Sequence, residues 1–320
     1  MSQKNKMILV TGCTGYLGFH ICEHLKSKKI PFFGIDNFSR SSQKNIIDKK
    51  KFLKIDISSK HLLTLLKQKK IKTVIHAAAY SYPPESEDNK KMYYKNNILK
   101  TKIFIDYCYI MNIQKFIFFS SSNVYNFNSD KIKSAKESQK LHPKNYYGKT
   151  KLIIEQYLNN KFKTCYILRL FNIAGYVNDN HFYEFKNKYR RILPVINEAF
   201  RKQLTIKINL IKSKGKPVFP GRDFVHIKDF LKIILLILKN KNKDSSILNI
   251  GNNKLIYLDQ IIKLFEKKLK KSINFKKIIT NKGNLNYTLC DNTQIQKKLK
   301  FKFKFNLNEI VKSCIKKKII

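Results

Sequence analysis

Val10-Thr-Gly-Cys-Thr-Gly-Tyr-Leu-Gly18 is the stretch that decides the fold of this 320-residue chain. An apolar run precedes it, and apolar residues at helical spacing follow it, so the pattern predicts a strand, a glycine-rich turn and a helix. Gly12 allows a tight bend, Gly15 lets the backbone approach a pyrophosphate, and Gly18 permits close packing of helix on strand. The unpaired N–H groups at the helix start favour an anion. The stretch predicts a dinucleotide-binding turn, with a plain helix-starting loop as the alternative.

Length and composition set the class of protein. A chain of 320 residues can bury a full core and suggests two lobes or one large α/β domain. The first apolar run is too short for a secretory signal, and the longest, 230–238, contains Lys232 and is too short to span a bilayer. The six cysteines lack Cys-x-x-Cys spacing, which is typical of reduced thiols. We therefore expect a cytoplasmic protein with no membrane segment.

The chain is strongly basic, with a formal net charge of +45. Such a charge raises the question of nucleic-acid binding. However, only six of the 66 basic residues are arginine, whose planar guanidinium is favoured for reading bases and phosphates, and the lysines are spread along the whole chain. The uniform excess of Lys, Asn and Ile is typical of codon bias in an AT-rich genome. We expect no specific nucleic-acid partner.

Apolar runs alternate with amphipathic segments through the first half of the chain, which is typical of a doubly wound parallel sheet, the Rossmann fold. The predicted strands are 7–10, 30–35, 52–55, 73–79, 115–119 and 164–171. Asp36 ends the second of them, about 20 residues beyond the glycines, where a carboxylate binds the adenosine ribose diol and repels a 2′-phosphate. This position favours NAD over NADP, with a turn-capping aspartate as the alternative.

Small and polar side chains follow the next predicted strands. Asp56, followed by Ile57, stands where dehydrogenase-like chains often place an aspartate against the adenine. Ala78 belongs to a run of small residues that lets a flat cofactor lie close over the strand end, whereas His76 is better interpreted as structural than as a catalytic base. Ser121 comes at the carboxyl edge of the sheet, where ligands of open α/β folds bind.

The regular alternation ends near residue 172. The segments predicted around and beyond this point are a helical stretch over about 92–111 with Asn96 and Asn97, a helix over about 190–202, a helix or strand-helix piece at 224–238, a strand at 247–251 and a helix over 258–270. The chain is therefore predicted to form a Rossmann domain at 1–172 and a smaller mixed α/β lobe at 173–320. Some later segments are expected to return to the sheet.

Tyr147 and Lys151 are spaced i, i+4 at the start of a predicted helix, which places both side chains on one helix face. A chance Tyr-x-x-x-Lys is expected in a chain with 17 tyrosines and this much lysine. Here, however, the pair falls 26 residues after Ser121, behind four strand-helix units and a glycine-rich turn. That position favours a catalytic set.

Together these motifs resemble the UDP-glucose 4-epimerases, within the extended short-chain dehydrogenase/reductase family. The resemblance runs nearly end to end and rests on the stretches Thr11–Gly18, Asp36-Asn37, Asp56-Ile57, Tyr93–Asn97, Phe116–Tyr125, Pro143–Lys151, Leu168–Asn172 and Gly221–His226. It implies NAD-dependent 4-epimerisation of a UDP-hexose through a transient 4-keto sugar, with UDP-N-acetylhexosamines as further candidate substrates. It also implies a homodimer and no metal.

The resemblance assigns Tyr147 as the catalytic base, Lys151 as its partner and Ser121 as the third catalytic group. A free phenol with a pKa of about 10 is a poor base at neutral pH, so the Lys151 ammonium and the positive nicotinamide would have to stabilise the phenolate. The residues implied to bind the cofactor are Gly12, Gly15, Tyr16, Leu17, Gly18, Asp36, Asn37, Asp56, Ile57, Ala78, Asn97, Tyr147 and Lys151. Those implied to bind the UDP-sugar are Ser121, Ser122, Tyr147, Asn172, Arg191, Arg222 and Thr288.

Sister activities of this family need a carboxyl group just before Val124. Nucleotide-sugar dehydratases carry an Asp-Glu pair there and UDP-glucuronate decarboxylases a glutamate, whereas this chain has Ser122 and Asn123. Simple epimerisation is therefore favoured. The alternatives are a dehydratase or decarboxylase of another nucleotide sugar, and a NAD-binding regulatory protein without turnover, against which the intact catalytic set argues.

The chain departs from the family at several binding positions. Ser81 stands where the family has a lysine, and Arg191 stands where it has an asparagine that contacts the diphosphate. Asn281 and Asn284 replace the arginine and aspartate of a late Arg-x-Gly-Asp motif, which puts the strength of nucleotide binding in doubt.

Thr288 aligns with a family residue that limits the space near the sugar 2-position. Its side chain is small, which predicts that UDP-N-acetylhexosamines fit as well as UDP-glucose. Tyr287 is adjacent, and a register slip of one residue would reverse this prediction.

Overall fold

The computed structural model describes residues 7–127, 131–159, 161–177, 191–213, 215–241, 244–280 and 285–315. Its strands are β1 Met7–Thr11, β2 Phe32–Asp36, β3 Phe52–Lys54, β4 Ile71–His76, β5 Lys115–Ser121, β6 Thr164–Leu170, β7 Asn172–Ala174, β8 Ile206–Ser213, β9 Lys216–Val218, β10 Gly221–His226, β11 Ser246–Ile250, β12 Leu255–Tyr257 and β13 Phe275–Ile279. Its α-helices are α1 Tyr16–Ser27, α2 His61–Gln68, α3 Pro83–Asp88, α4 Lys90–Tyr93, α5 Lys100–Ile110, α6 Tyr146–Leu158, α7 Ile192–Lys202, α8 Ile227–Lys239, α9 Leu258–Leu269, α10 Thr293–Leu299 and α11 Leu307–Cys314.

A seven-stranded sheet runs in the order β11-β6-β5-β4-β1-β2-β3. All neighbouring pairs in it are parallel, because helical connections carry the chain back between strands. From β1 the chain moves outward to β2 and β3, and it then crosses to β4 on the other side of β1. Ligands of such sheets bind at this reversal, outside the carboxyl ends of the strands. The predicted Rossmann fold is confirmed, and so is the return of the segment at 247–251 to the sheet.

Apolar side chains cover both faces of this sheet. One buried cluster packs α1 and α8 on one face and includes Val10 and Phe230. The cluster on the other face packs α2, α5 and α6 and includes Leu9 and Phe104. Since successive residues of a strand point to opposite faces, Leu9 and Val10 belong to different clusters. Burial on both faces explains why these strands are continuous apolar runs rather than alternating patterns.

Two three-stranded sheets, β12-β10-β7 and β13-β8-β9, come mainly from the second half of the chain. Each mixes one parallel and one antiparallel pair. Leu193 of α7, Ile208 of β8, Phe265 of α9 and Val311 of α11 share a third buried cluster. The prediction of smaller mixed α/β structure is confirmed, whereas the lobe boundary at residue 172 stays a prediction.

The stretch predicted to be helical over 92–111 contains a feature that periodicity did not indicate. A π-helical turn, Tyr94–Leu99, lies between α4 and α5. Such turns widen a helix locally and are frequent at functional sites. Here the turn buries the side chain of Asn97.

His76, the cysteines and the helices each bear on a prediction from the sequence. His76 is buried and stacked on Phe104 and Phe118, and its Nδ1 lies 2.8 Å from Thr11 Oγ1. Burial lowers the pKa of His76 to about 3, so it is a neutral structural residue, as predicted. All six cysteines are free, buried thiols. Within the described ranges, none of the helices is long and apolar enough to cross a membrane.

Candidate active site

The glycine-rich turn joins β1 to α1 and lies against the end of β4. Gly12 has a φ of +64°, and a Cβ atom on it would come within 2.8 Å of the Ala78 Cα atom. A Cβ atom on Gly18 would collide with the Gly12 carbonyl oxygen. Gly15 is the N-cap of α1, which has no side-chain capping bond. The backbone itself therefore forms a cradle at a helix N-terminus, which suits a pyrophosphate.

Asp36 ends β2 beside this cradle, and hydrogen bonds hold its carboxylate in place. The Thr14 N–H donates to Oδ2 at 3.2 Å, while the Phe38 N–H and the Ser41 hydroxyl donate to Oδ1 at 2.9 and 3.0 Å. A fixed carboxylate at this position can accept hydrogen bonds from the two ribose hydroxyls of NAD. It also repels the 2′-phosphate of NADP.

A pocket opens above the cradle at the carboxyl ends of β1, β2 and β4. The residues predicted to bind the cofactor that line it are Gly12, Gly15, Asp36, Asn37, Ile57 and Ala78. The run of alanines after β4 and the isoleucines beside β2 give it flat apolar walls. A backbone cradle, a fixed carboxylate and apolar walls together fit a dinucleotide such as NAD.

Asp56 follows β3, beside the pocket residues Asn37 and Ile57. Asn37 Nδ2 donates to Asp56 Oδ2 at 2.9 Å, and Lys100 Nζ lies 2.5 Å from the same oxygen. Burial raises the pKa of Asp56, but hydrogen bonds from Lys100, Ser58 and Asn37 outweigh burial and lower the pKa to about 2. Asp56 is therefore a fixed anion, and its predicted contact with the adenine stays a prediction.

Arg40 is a pocket residue that the sequence did not single out. Its guanidinium lies 2.8 Å from Glu85 Oε2 and 4.3 Å from the centre of the Tyr80 ring. Arg40 follows β2, whereas Glu85 belongs to α3 after β4, so the contact joins the two sides of the pocket. Partners 45 positions apart leave no local sequence pattern.

Asn97, on the π-helical turn, joins the pocket wall to α6. Its Oδ1 accepts from the Tyr80 N–H and its Nδ2 donates to the Tyr80 carbonyl, both at 2.9 Å. Nδ2 also lies 3.3 Å from Thr150 Oγ1. In the described structure the Asn97 side chain therefore bonds to other residues of the protein. A direct contact of Asn97 with the cofactor stays a prediction.

The start of helix α6 is held by its own N-cap residue and by side chains of α3. Asn145 is its N-cap, and the Asn145 Oδ1 atom accepts from the Gly148 N–H at 2.8 Å. The Tyr147 N–H donates to Ser86 Oγ at 3.0 Å, and the Tyr146 N–H donates to Glu87 Oε1 at 2.6 Å. The free N–H groups of the first helical turn are thus paired with side chains of α3 and the N-cap, which fixes where the helix starts.

Ser121, Tyr147 and Lys151 come together at the end of β5. The Ser121 hydroxyl is close enough to the Tyr147 phenol to lower its pKa. Lys151 Nζ donates to the Phe119 carbonyl at 2.8 Å and lies 5.8 Å from the centre of the Tyr147 ring. All three side chains are buried. The structure therefore brings the predicted catalytic set together, although the catalytic roles remain proposals.

Burial pushes the two titratable groups of this set toward their neutral forms. It raises the pKa of Tyr147 to about 12, against the hydrogen bond from Ser121 and the nearby charge of Arg191. It lowers the pKa of Lys151 to about 7, against the attraction of Glu155. Tyr147 is thus a phenol rather than a phenolate at neutral pH unless a further positive charge binds close to it.

Asn172 and Thr288 face each other where β7 starts. Asn172 Nδ2 donates to Thr288 Oγ1 at 3.2 Å and to the Asp223 carbonyl at 3.1 Å. Tyr287 points elsewhere: its ring packs 5.3 Å from Phe127, and its hydroxyl donates to the Lys131 carbonyl at 2.9 Å. Thr288, and not Tyr287, is therefore the residue that contacts Asn172.

The two arginines predicted to bind the sugar nucleotide contact residues on either side of Asn172 and Thr288. Arg191 stacks 3.8 Å from the centre of the Tyr16 ring and donates to the Ile173 carbonyl, so it joins the glycine-rich turn to β7. Arg222 donates to the Gly221 and Leu285 carbonyls, and burial lowers its pKa to about 10. Ser122, also predicted to bind the UDP-sugar, is buried. Of the residues predicted to bind the cofactor, Tyr16 is buried and Leu17 is half-buried. Asn281 and Asn284 lie outside the described residues.

A profile of the NAD dependent epimerase/dehydratase family matches residues 8–251. Because this match covers well over half of the chain, the protein belongs to that family. The chain is 29% identical over 252 residues to UDP-glucose 4-epimerase of Lactobacillus helveticus, with 76% of each chain covered.

Solved structures of other proteins share the fold of nearly the whole chain. The UDP-glucose 4-epimerase of Bifidobacterium longum, solved with NAD+ and UDP, superposes with a TM-score of 0.88 at 22% identity over 97% of both chains. The UDP-N-acetylglucosamine 4-epimerase of Methanobrevibacter ruminantium, solved with UDP-N-acetylmuramic acid, superposes with a TM-score of 0.80 at 25% identity. The latter match covers 98% of this chain and 99% of that one.

The fixed Asp36 carboxylate predicts that the protein binds NAD more tightly than NADP. Isothermal titration of the apo-protein with each cofactor measures the ratio of the two dissociation constants. Asp36→Asn keeps the shape of the side chain but removes the charge, and it should narrow that ratio by about tenfold, or ~1.4 kcal/mol. Equal or tighter binding of NADP by the wild-type protein would contradict the assignment of Asp36.

Proposed function

We propose that the protein is a NAD-dependent 4-epimerase of UDP-hexoses. The observation that carries this proposal is the convergence of Ser121, Tyr147 and Lys151 at the end of β5, on the same edge of the sheet as the glycine cradle. Relatives and structural neighbours that carry the name UDP-glucose 4-epimerase support it. The protein works in the cytoplasm, where its six buried cysteines would stay reduced.

Each member of the catalytic set has a task in this reaction. Tyr147 takes the proton of the sugar 4-hydroxyl and later returns it to the oxygen of the 4-keto sugar, after the sugar has presented its opposite face. Lys151 stabilises the phenolate form of Tyr147 and binds the nicotinamide ribose, and Ser121 donates a hydrogen bond to the phenolate oxygen. NAD, when bound, supplies the hydride acceptor and, once reduced, the hydride donor.

The side chains that surround this set favour epimerisation over elimination or decarboxylation. Those reactions need a carboxyl group next to the sugar, whereas the turn after β5 presents Ser122 and Asn123. Asn172, Arg191, Arg222 and Thr288 form the proposed UDP-sugar site, in which the two arginines provide charge for the diphosphate.

Tyr147→Phe should retain NAD and lose turnover, because the ring still packs while the base is gone. We expect kcat for the interconversion of UDP-glucose and UDP-galactose to fall by about 10²–10⁴. Tyr157→Phe is the matched control, because the Tyr157 hydroxyl lies on the same helix but bonds to Asp106. A Tyr147→Phe enzyme with nearly wild-type kcat would refute the proposed mechanism.

Thr288 should control whether an N-acetyl group at the sugar 2-position is accepted. The wild-type enzyme is expected to use UDP-N-acetylglucosamine with a kcat/KM similar to that for UDP-glucose, and Thr288→Tyr should selectively lose the N-acetyl sugar. Tyr287→Phe is the control, because the Tyr287 hydroxyl contacts Lys131 and not Asn172. Rejection of the N-acetyl sugar by wild type, or an unchanged ratio in Thr288→Tyr, would show that Thr288 is not the gate.

We also propose a homodimer formed through α5 and α6. These helices are neighbours, joined by the Tyr157–Asp106 hydrogen bond, and they expose the apolar side chains of Ile103, Ile110 and Ile153. Leu99, the last residue of the π-helical turn before α5, is exposed as well. Light scattering should show a dimer for wild type and a monomer for Ile103→Lys. Ile278→Lys changes an equally exposed isoleucine on β13 and should remain dimeric. A monomeric wild type would contradict the proposal.

A further inference from the structure

We propose that Asn123 is a positioning residue that fixes Ser121 as a hydrogen-bond donor. Asn123 lies in the short 3-10 turn, Ser122–Val124, that follows β5. Its backbone N–H donates to Ser121 Oγ at 3.2 Å, and its side-chain Nδ2 donates to the same oxygen at 3.0 Å. The inference rests on the proposed function, since it assigns a task in support of the proposed catalytic serine.

The orientation of the Asn123 amide follows from a series of hydrogen bonds that begins at a backbone N–H. The Gly148 N–H can only donate, so the Asn145 atom 2.8 Å from it must be the Oδ1 oxygen. The other end of the Asn145 amide is therefore the Nδ2 donor, and the Asn123 atom 2.7 Å from it must be the Oδ1 acceptor. Asn123 then presents its Nδ2 donor to Ser121. A flip of the Asn145 amide would lose the N-cap of α6, and a flip of the Asn123 amide would set its Nδ2 donor against the Nδ2 donor of Asn145.

Two donors at one hydroxyl oxygen determine what that hydroxyl can do. A serine hydroxyl has two lone pairs and one proton. Asn123 occupies both lone pairs of Ser121 Oγ, so Ser121 can donate its proton but has no lone pair left to accept another. Burial raises the pKa of Tyr147, and the hydrogen bond from Ser121 to the Tyr147 oxygen opposes that rise.

This arrangement excludes one route for the substrate proton, a relay through Ser121. A serine that relayed the proton would accept it from the sugar 4-hydroxyl while donating its own to Tyr147. With both lone pairs occupied, Ser121 cannot do so. The proton therefore passes directly to the Tyr147 phenolate oxygen: the sugar O–H bond breaks as the tyrosine O–H bond forms, and Ser121 stabilises the phenolate throughout.

The same contacts set the serine and the base relative to each other. A Cβ atom on Gly148 would collide with the Asn123 carbonyl oxygen, so α6 packs directly on the turn after β5. Asn145 caps α6 and also holds Asn123. The distance between Ser121 and Tyr147 is thus fixed by the two asparagine side chains and this close approach.

Asn123→Asp is the most informative single variant. Aspartate keeps the size of asparagine and an acceptor for Asn145, but it presents a carboxylate oxygen to Ser121, which would then donate to this carboxylate rather than to Tyr147. We expect kcat to fall by at least about tenfold, and by no more than the 10²–10⁴ that a positioned proton-transfer group contributes. KM, bound NAD and the thermal midpoint should stay close to wild type. The rising limb of the kcat–pH profile should move to higher pH, because the phenolate loses a donor and faces a negative charge.

A double-mutant cycle separates positioning from a structural role. Asn123→Ala and Ser121→Ala are compared singly and together. If Asn123 acts through Ser121, the double variant has the same kcat as Ser121→Ala alone. Losses that multiply would overturn the proposal, and so would an Asn123→Ala enzyme with a wild-type kcat and pH profile.

A measurement without turnover keeps this inference distinct from the proposed function. The pKa of Tyr147 in the NAD-bound protein can be read from phenolate absorbance, as the difference between each protein and its Tyr147→Phe counterpart. Asn123→Asp should raise that pKa relative to wild type. An unchanged value would overturn the role of Asn123 even if the wild-type enzyme epimerises UDP-hexoses. A raised value in a protein that does not epimerise them would support the role of Asn123 and refute the proposed function.

Discussion

The ion pair between Glu155 and Arg169 is the contact on which the geometry of the catalytic site depends. Glu155 lies on α6 one turn after Lys151, and Arg169 lies on β6, where its Nε and NH2 atoms are 2.8 to 3.2 Å from the two carboxylate oxygens. Both side chains are buried, and Ser120 on β5 also donates to Glu155. Loss of either partner would leave a buried charge unpaired, at a cost of about 3–5 kcal/mol. The pair thereby locks the helix that carries the base onto the two strands beneath it.

Burial makes the charge states of the proposed catalytic groups depend on what binds beside them. A pKa of about 12 for Tyr147 and of about 7 for Lys151 means that the protein alone favours a neutral phenol and weakens the ammonium that should stabilise its anion. The positive nicotinamide ring of NAD supplies the missing charge when it is bound. The fixed donor at Ser121 adds to the same stabilisation. Binding of the cofactor and activation of the base are therefore linked by electrostatics.

The features that depend on residues close together in the chain were predictable from the sequence. The glycine-rich turn, the apolar strands and the Tyr147/Lys151 spacing each depend on residues close together in the chain. The structure has the predicted sheet and places the proposed catalytic residues at the end of β5. The pairing of Arg40 with Glu85 and the orientation of the Asn123 amide were not predictable. Each depends on a partner from another segment, so no periodicity or spacing records it. The apolar residues of the π-helical turn, Tyr94–Leu99, are spaced almost as in an α-helix, so the sequence does not distinguish the two kinds of helix.

Transfer of hydrogen within the site is the central claim, and isotopic labelling tests it most directly. The enzyme with its bound cofactor is incubated in ordinary water with UDP-glucose that carries deuterium at C4. If hydride leaves C4 and returns to the opposite face of the same sugar, the UDP-galactose formed retains the deuterium at C4, and only the hydroxyl proton exchanges through Tyr147. Release of the deuterium to water during epimerisation, or failure to form UDP-galactose at all, would contradict the account.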